Sequence, residues 1–229
     1  FGYNLAFGYS NKFEYYDEFI TETYLKNSDK STNELFLAEQ NNGRVGVNEV
    51  LWSALANGSF KKDRYSLSAT LFHTQNGIKK SSDLEYLNVA NPFGDASANL
   101  IQDILYYNQR SLTNLMLKHK YVNPETDWSF ETKISPSLSL NNEPDMRITK
   151  LALDDEGYNF KIGAGSEIAR IYRGLTEINL NGKFDAQKEH QMKNGKKTKL
   201  KLGAAYNYKT RDFGVFKYNF QAPGNSFSF

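Results

Sequence analysis

The sequence predicts an all-β chain: an antiparallel, up-and-down sheet forming a segment of a transmembrane β-barrel. Three observations predict it: two-residue periodicity sustained beyond ordinary strand lengths, a strict alternation of short and long links, and aromatic residues gathered at the short-link ends. A half-buried strand in a soluble protein usually has about five or six residues. Here residues 172–185 hold Tyr172, Gly174, Thr176, Ile178, Leu180, Gly182 and Phe184 on one parity. Arg173, Glu177, Asn179, Asn181, Lys183 and Asp185 occupy the other, with Leu175 the one apolar intruder.

The same pattern recurs along the chain. In residues 1–15 the odd positions Phe1, Tyr3, Leu5, Phe7, Tyr9, Phe13 and Tyr15 are apolar or aromatic, and the even ones are small or polar. Residues 47–60, 65–75 and 110–121 repeat it more weakly. In residues 128–141, Trp128, Phe130, Ile134, Leu138 and Leu140 alternate with Ser129, Glu131, Lys133, Ser135, Ser137, Ser139 and Asn141. Residues 199–211 close the series, Leu200, Leu202, Ala204, Tyr206 and Tyr208 alternating with Lys199, Lys201, Gly203, Ala205, Asn207, Lys209 and Arg211. These are seven strands of about 10 to 15 residues.

Short polar links join the second strand to the third (61–64), the fourth to the fifth (123–127) and the sixth to the seventh (193–197). The others are long: 17–44, 76–109 and 142–167. An up-and-down sheet places every second link on the same edge, so one edge carries tight turns and the other extended loops. In lipid a sheet must satisfy all its backbone groups internally, and each tilted strand needs roughly 9 to 11 residues to cross. Short turns opposite long loops is the periplasmic-to-extracellular asymmetry of outer-membrane barrels.

If the hairpins pair symmetrically about their turns, Phe60 faces Tyr65 and Tyr121 faces Trp128. All four would sit on the apolar parity at the short-turn rim, as a lipid-interface aromatic girdle. On the polar parity of the last hairpin, one register sets Asp185 opposite Lys201, Glu177 opposite Lys209 and Asn179 opposite Asn207. A shift of two residues keeps the faces and instead sets Glu177 opposite Arg211.

Composition narrows the function classes. Among 229 residues, 28 Lys and Arg face 26 Asp and Glu, so a net charge of +2 gives no field that calls for nucleic acid. With no cysteine there is no disulfide framework, thiolate metal site or thiol nucleophile. Yet 15 Tyr, 16 Phe and 2 Trp sit in a chain of mean hydropathy −0.64. No apolar run is long enough for a membrane helix.

Catalytic motifs are missing. His73, His119 and His190 have no metal-ligand spacing, and Gly163 with Gly165 opens no dinucleotide fingerprint. The run Gly195, Lys196, Lys197, Thr198 lacks the leading glycine of a phosphate loop and lies between strands, and Asp154, Asp155 and Glu156 read as a solvated loop. The sequence therefore calls for no cofactor and no metal, and an enzyme reading has no residue to stand on.

Specific stretches carry a family resemblance. RIYRGLTEINLNGKFD (170–185), KLKLGAAYNYKTRDF (199–213), RSLTNLML (110–117) and EPDMR (143–147) resemble the barrel of TonB-dependent outer-membrane receptors of the Bacteroidota type. That resemblance implies a barrel of about 22 strands closed by a plug domain. It further implies nutrient uptake (a metal chelate, vitamin, peptide or glycan) driven by the periplasmic TonB complex. This chain would be about a third of such a wall, a fragment whose plug and remaining strands lie outside it. Its partners would be outer-membrane lipid, that plug, those strands and TonB, with a surface lipoprotein or larger outer-membrane complex in some relatives. Arg173, Glu177, Asn179, Lys183, Asp185, Lys201, Asn207, Lys209 and Arg211 would face the lumen and plug. Two other classes stay open: an assembly barrel without transport, and a soluble extracellular β-sandwich that binds glycan.

Overall fold

The computed structural model describes residues 1–26, 34–88, 98–154, 157–161, 167–191, 197–220 and 226–228, and among these there is no helix. The strands are β1 (Gly2–Lys26), β2 (Leu35–Lys62), β3 (Tyr65–Asn88), β4 (Ala98–Asn123), β5 (Trp128–Asp154), β6 (Gly157–Lys161), β7 (Glu167–Gln191), β8 (Lys197–Asn219) and β9 (Ser226–Ser228). All belong to one antiparallel up-and-down sheet in the order β1-β2-β3-β4-β5. Beyond β5 the sheet continues on two levels, because β5 pairs with β7 along most of its length and with β6 at its far end. β8 then lies beside β7, and β9 beside β6. Among the described residues the sheet does not close: β1 and β8 each have a single paired neighbour.

Register collects the alternating parities onto two faces. One unbroken row runs Tyr3, Gly58, Ala69, Leu117, Ile134, Gly182, Tyr206 across seven strands. A second row, on the opposite face, runs Gly8, Ser53, Thr74, Leu112, Ser139, Glu177, Arg211. A slip of one residue in any strand would mix these rows, so the period-two pattern excludes odd slips, while a slip of two keeps the faces.

Burial is equally one-sided. Val45, Ser82, Leu84, Leu100, Asn108, Glu143, Ala152, Ala169 and Ile171 are buried, and register places all of them on the polar-row face. Ala38, beside the irregularity between Thr23 and Tyr24, is the exception. A single sheet that curls toward one face brings the side chains of that face together, and on that ground this face is the concave one. The apolar face is convex and bare: Leu5, Phe7, Leu71, Ile134, Leu180, Leu202 and Tyr206 are all exposed. Exposed apolar surface on this scale marks a partner surface rather than ordinary solvent-facing residues.

Two expectations need correction. The seven long strands have 23 to 28 residues, not 10 to 15, because most of the expected long loops is strand. Residues 17–26 and 35–44 extend β1 and β2, 76–88 and 98–109 extend β3 and β4, and 142–154 extend β5. Backbone ladders continue wherever strands find partners, and in that half they no longer need one apolar face, so periodicity loses sight of them. The remainder of those loops lies outside the described residues.

The turns are also tighter than expected. Asp63 and Arg64 alone separate Lys62 from its partner Tyr65, so Phe60 faces Leu67. Asp63 takes φ 46°, in the left-handed region that Asp tolerates better than most residues. In the next hairpin Trp128 faces Asn123 and Tyr121 faces Phe130, with Asp127 at φ 57°. Each pairing is offset by two residues from the symmetric one, which preserves the faces and changes the partners.

Candidate functional site

The concave face carries a hydrogen-bonded array of charges on β4, β5, β7 and β8. Its densest part is the β7–β8 hairpin, whose register is the shifted alternative: Glu177 faces Arg211, Asn179 faces Lys209, Asn181 faces Asn207, Asp185 faces Gly203, and Lys201 faces Gln187. The pairing of Asp185 with Lys201 and of Glu177 with Lys209 as direct opposites is therefore overturned. Both ion pairs nevertheless form on the diagonal, at 3.6 Å and 3.0 Å, because long lysines reach the next rung.

Glu177 gathers three partners within this hairpin. Arg211 donates through Nε at 2.7 Å and through a second, shorter bond, and Asn179 Nδ2 donates at 2.9 Å. Asn207 donates to Asn181 beside it. Asp185 accepts Lys183 at 3.1 Å as well as Lys201. Glu131 on β5 joins Lys133 at 2.7 Å and Lys118 at 3.1 Å, extending the array across two more strands. Gly203 is the residue that makes space for it. A Cβ built there would lie 2.5 Å from Asp185 Oδ1 and 3.1 Å from the Phe184 carbonyl oxygen.

Arg173 belongs to a separate cluster higher on the same face. Its Nη1 meets Glu143 Oε2 at 3.0 Å, and Tyr106 and the fully buried Asn108 donate to Glu143 Oε1 at 3.3 and 3.2 Å. Asn108 also donates to Asn141 at 2.7 Å, while its own Oδ1 has no partner among the described residues. All nine expected polar residues thus share one face, but they form a β7–β8 array and a distinct Arg173 cluster.

The Arg173 cluster borders a β-bulge that sequence reasoning missed. Between Glu143 and Met146, β5 holds one more residue than its partners on both sides. Pro144 sits inside it, where the missing N–H breaks no ladder bond. A proline inside an alternating pattern was the available signal. Glu143, the last residue before the bulge, keeps the concave parity of Ser139 and Asn141, and the extra residue places Asp145 on the convex face. There Asp145 accepts Arg170 Nε at 2.9 Å and Nη2 at 2.7 Å, and Arg147 Nε at 2.8 Å. Arg170 first, then Arg147, hold its carboxyl down to about 2.

At the short-turn rim of the convex face the aromatic residues form a belt. Tyr65 and Tyr121 have ring centres 4.9 Å apart; Phe130 lies 6.4 Å from Tyr121, 5.8 Å from Trp128 and 6.2 Å from Phe184. Lys188 stands over the Trp128 ring at 5.7 Å. Phe60 is on the same face, half exposed beside Leu67. Arg64 of one turn joins Glu125 of the next at 2.8 Å, tying the rim together.

His73 lies against Trp52 with ring centres 4.8 Å apart and planes tilted by 39°, and shares a hydrogen bond of 2.8 Å with Thr113. Among the described residues no three His, Asp or Glu side chains converge as a metal site. Asp155, Glu156, Gly163, Gly165, Gly195 and Lys196 lie outside the described residues. Comparison with family models, curated proteins and solved structures returned no match to this chain.

Proposed function

We propose that this chain is part of the wall of a bacterial outer-membrane β-barrel of the TonB-dependent receptor type, acting in nutrient uptake. The observation that carries this reading is the pairing of two opposite faces on one sheet: a continuous exposed apolar convex face and an ion-paired polar concave face. The apolar parity of β5 from Trp128 to Leu140 spans about 40 Å along the strand, which at a barrel-like tilt covers roughly 30 Å of bilayer. The aromatic belt of Tyr65, Tyr121, Phe130 and Trp128 would then lie at the headgroups on the short-turn side.

Both sheet edges, β1 and β8, would need further strands in lipid, since unpaired backbone groups there cost several kcal/mol each. The concave array around Glu177, Asp185 and Arg173 would face a plug domain or the solute path. Outer-membrane lipid, a plug, the remaining strands and the TonB complex are the partners this reading requires. The array offers no nucleophile or acid–base pair in a pocket, so the reading is transport without catalysis.

A glycan-binding sandwich is less well supported, since the described strands make one sheet with no second sheet packed on it. The test is to express the full-length polypeptide and fractionate the cells. Recovery in the outer membrane, a heat-dependent shift on gels and uptake that requires an energised TonB complex are the expected results. Membrane recovery with TonB-independent behaviour would favour an assembly barrel, and recovery in the soluble fraction would overturn both.

A further inference from the structure

The convex face is apolar for most of its height, but at the level of the β5 bulge it turns cationic. One row there reads Tyr15, Gly46, Ser81, Leu105, Arg147, Arg170, Tyr218. Arg147 and Arg170 are direct cross-strand partners, an arrangement that like charges oppose. Asp145 relieves it, but one carboxylate faces two guanidinium groups, and Lys79 is a third cation, lining the same neighbouring groove as Arg147. That groove, about 650 Å³ in volume, is walled by Phe13, Tyr15, Leu105 and Tyr107. The other charged residues at its margin are engaged elsewhere, Glu14 with Lys12 at 2.5 Å and Lys80 over the Phe19 ring at 5.8 Å.

An apolar groove continuous with an apolar face, ending at a cluster with excess positive charge, complements an amphiphile with an anionic head. Guanidinium groups match phosphate oxygens in geometry as well as charge. We propose that Arg147, Arg170 and Lys79 hold the phosphate of an anionic membrane lipid whose acyl chains lie along the groove. This rests on the membrane reading above. The lipid belongs to the leaflet on the long-link side, and Asp145 sets the spacing of the two arginines while limiting their net charge.

The test uses the full-length polypeptide that carries these strands, inserted into phosphatidylcholine bilayers with and without phosphatidylglycerol. Phosphatidylglycerol retained after mild detergent extraction is counted by native mass spectrometry. Arg147→Gln and Arg170→Gln should each lower retention by about fivefold, as expected for one surface cation. Asp145→Asn, which frees both arginines, should raise it, and this variant keeps the proposal falsifiable if the glutamine variants misfold. Retention unchanged by the arginine pair, or by Asp145→Asn, overturns the proposal. Displacement of the lipid by inorganic phosphate alone also overturns it, by making the site one for free phosphate. Failure of the unsubstituted protein to insert even into neutral phosphatidylcholine sinks the membrane reading itself, which separates the two failures.

Discussion

Gly203 stands directly opposite Asp185, and its lack of a side chain is what lets the Asp185 carboxylate lie across the β7–β8 ladder to reach both Lys183 and Lys201. A methyl group at 203 would come within 2.5 Å of that carboxylate and 3.1 Å of a backbone oxygen, and only the former can move. Gly203→Val should therefore destabilise the folded protein by about 1 to 3 kcal/mol. Combining it with Asp185→Ala should recover part of that loss. Denaturant titration of the single and double variants checks the coupling, and simple additivity would show that Gly203 is not there for Asp185.

Register gives a cleaner prediction because the chain has no cysteine of its own. Cysteines at 179 and 209 are placed on direct partners, whereas 179 and 207 are two rungs out of step. Mild oxidation should link the first pair and leave the second largely reduced. Preferential linking of 179 to 207 would restore the unshifted register.

Glu177 and Arg211 are expected to be weakly coupled despite their short hydrogen bonds. Arg211 is about half exposed, so water reaches the pair and screens it. A double-mutant cycle with Glu177→Gln and Arg211→Gln should return a small coupling. A coupling of several kcal/mol would mean the site is drier than its exposure indicates.

Asp145 supplies the pH dependence. Its carboxyl is depressed from 3.8 to about 2 in the folded protein, so its ion pairs with Arg170 and Arg147 contribute fully above 3.8 and are lost as pH falls toward 2. Thermal melts should show the unsubstituted protein more stable than Asp145→Asn near neutral pH, with the difference closing over that acid window. A gap that grows on acidification would contradict the sign. Because both arginines are about half exposed, the effect should be small.

The sequence made the strands and both faces legible wherever one parity had to be apolar. From Tyr172 to Phe184 the alternation was enough to place every side chain on its face. It failed above that band, where strand residues such as Ser81, Asp83, Gln102 and Lys150 follow no period because pairing alone holds them. It also failed on turns, since Asp63 in a left-handed conformation tightens the hairpin without altering the pattern of the flanking residues. The polar residues of the array were legible individually, but their grouping was not. Arg173 separates from Glu177 and joins Glu143, its direct partner on β5, while a one-residue bulge at Pro144, which parity counting passes over, sends Asp145 to the opposite face.

The two-faced assignment also predicts unequal costs for one substitution. Leu180→Arg places a charge on the apolar face near the middle of β7, where a lipid-facing site costs roughly 2 to 4 kcal/mol. Asn207→Arg, on the polar face, should fold nearly as well as the parent. Equal damage from both in membrane refolding would contradict the assignment of faces.

The central claim is that the convex face meets lipid and the concave face meets water. A single-cysteine scan of residues 176–185 in the full-length polypeptide, labelled in intact membranes with a water-soluble maleimide, tests it most directly. Positions 177, 179, 181, 183 and 185 should react while 176, 178, 180, 182 and 184 stay protected, and detergent should not invert that order. Uniform labelling at both parities would contradict the account.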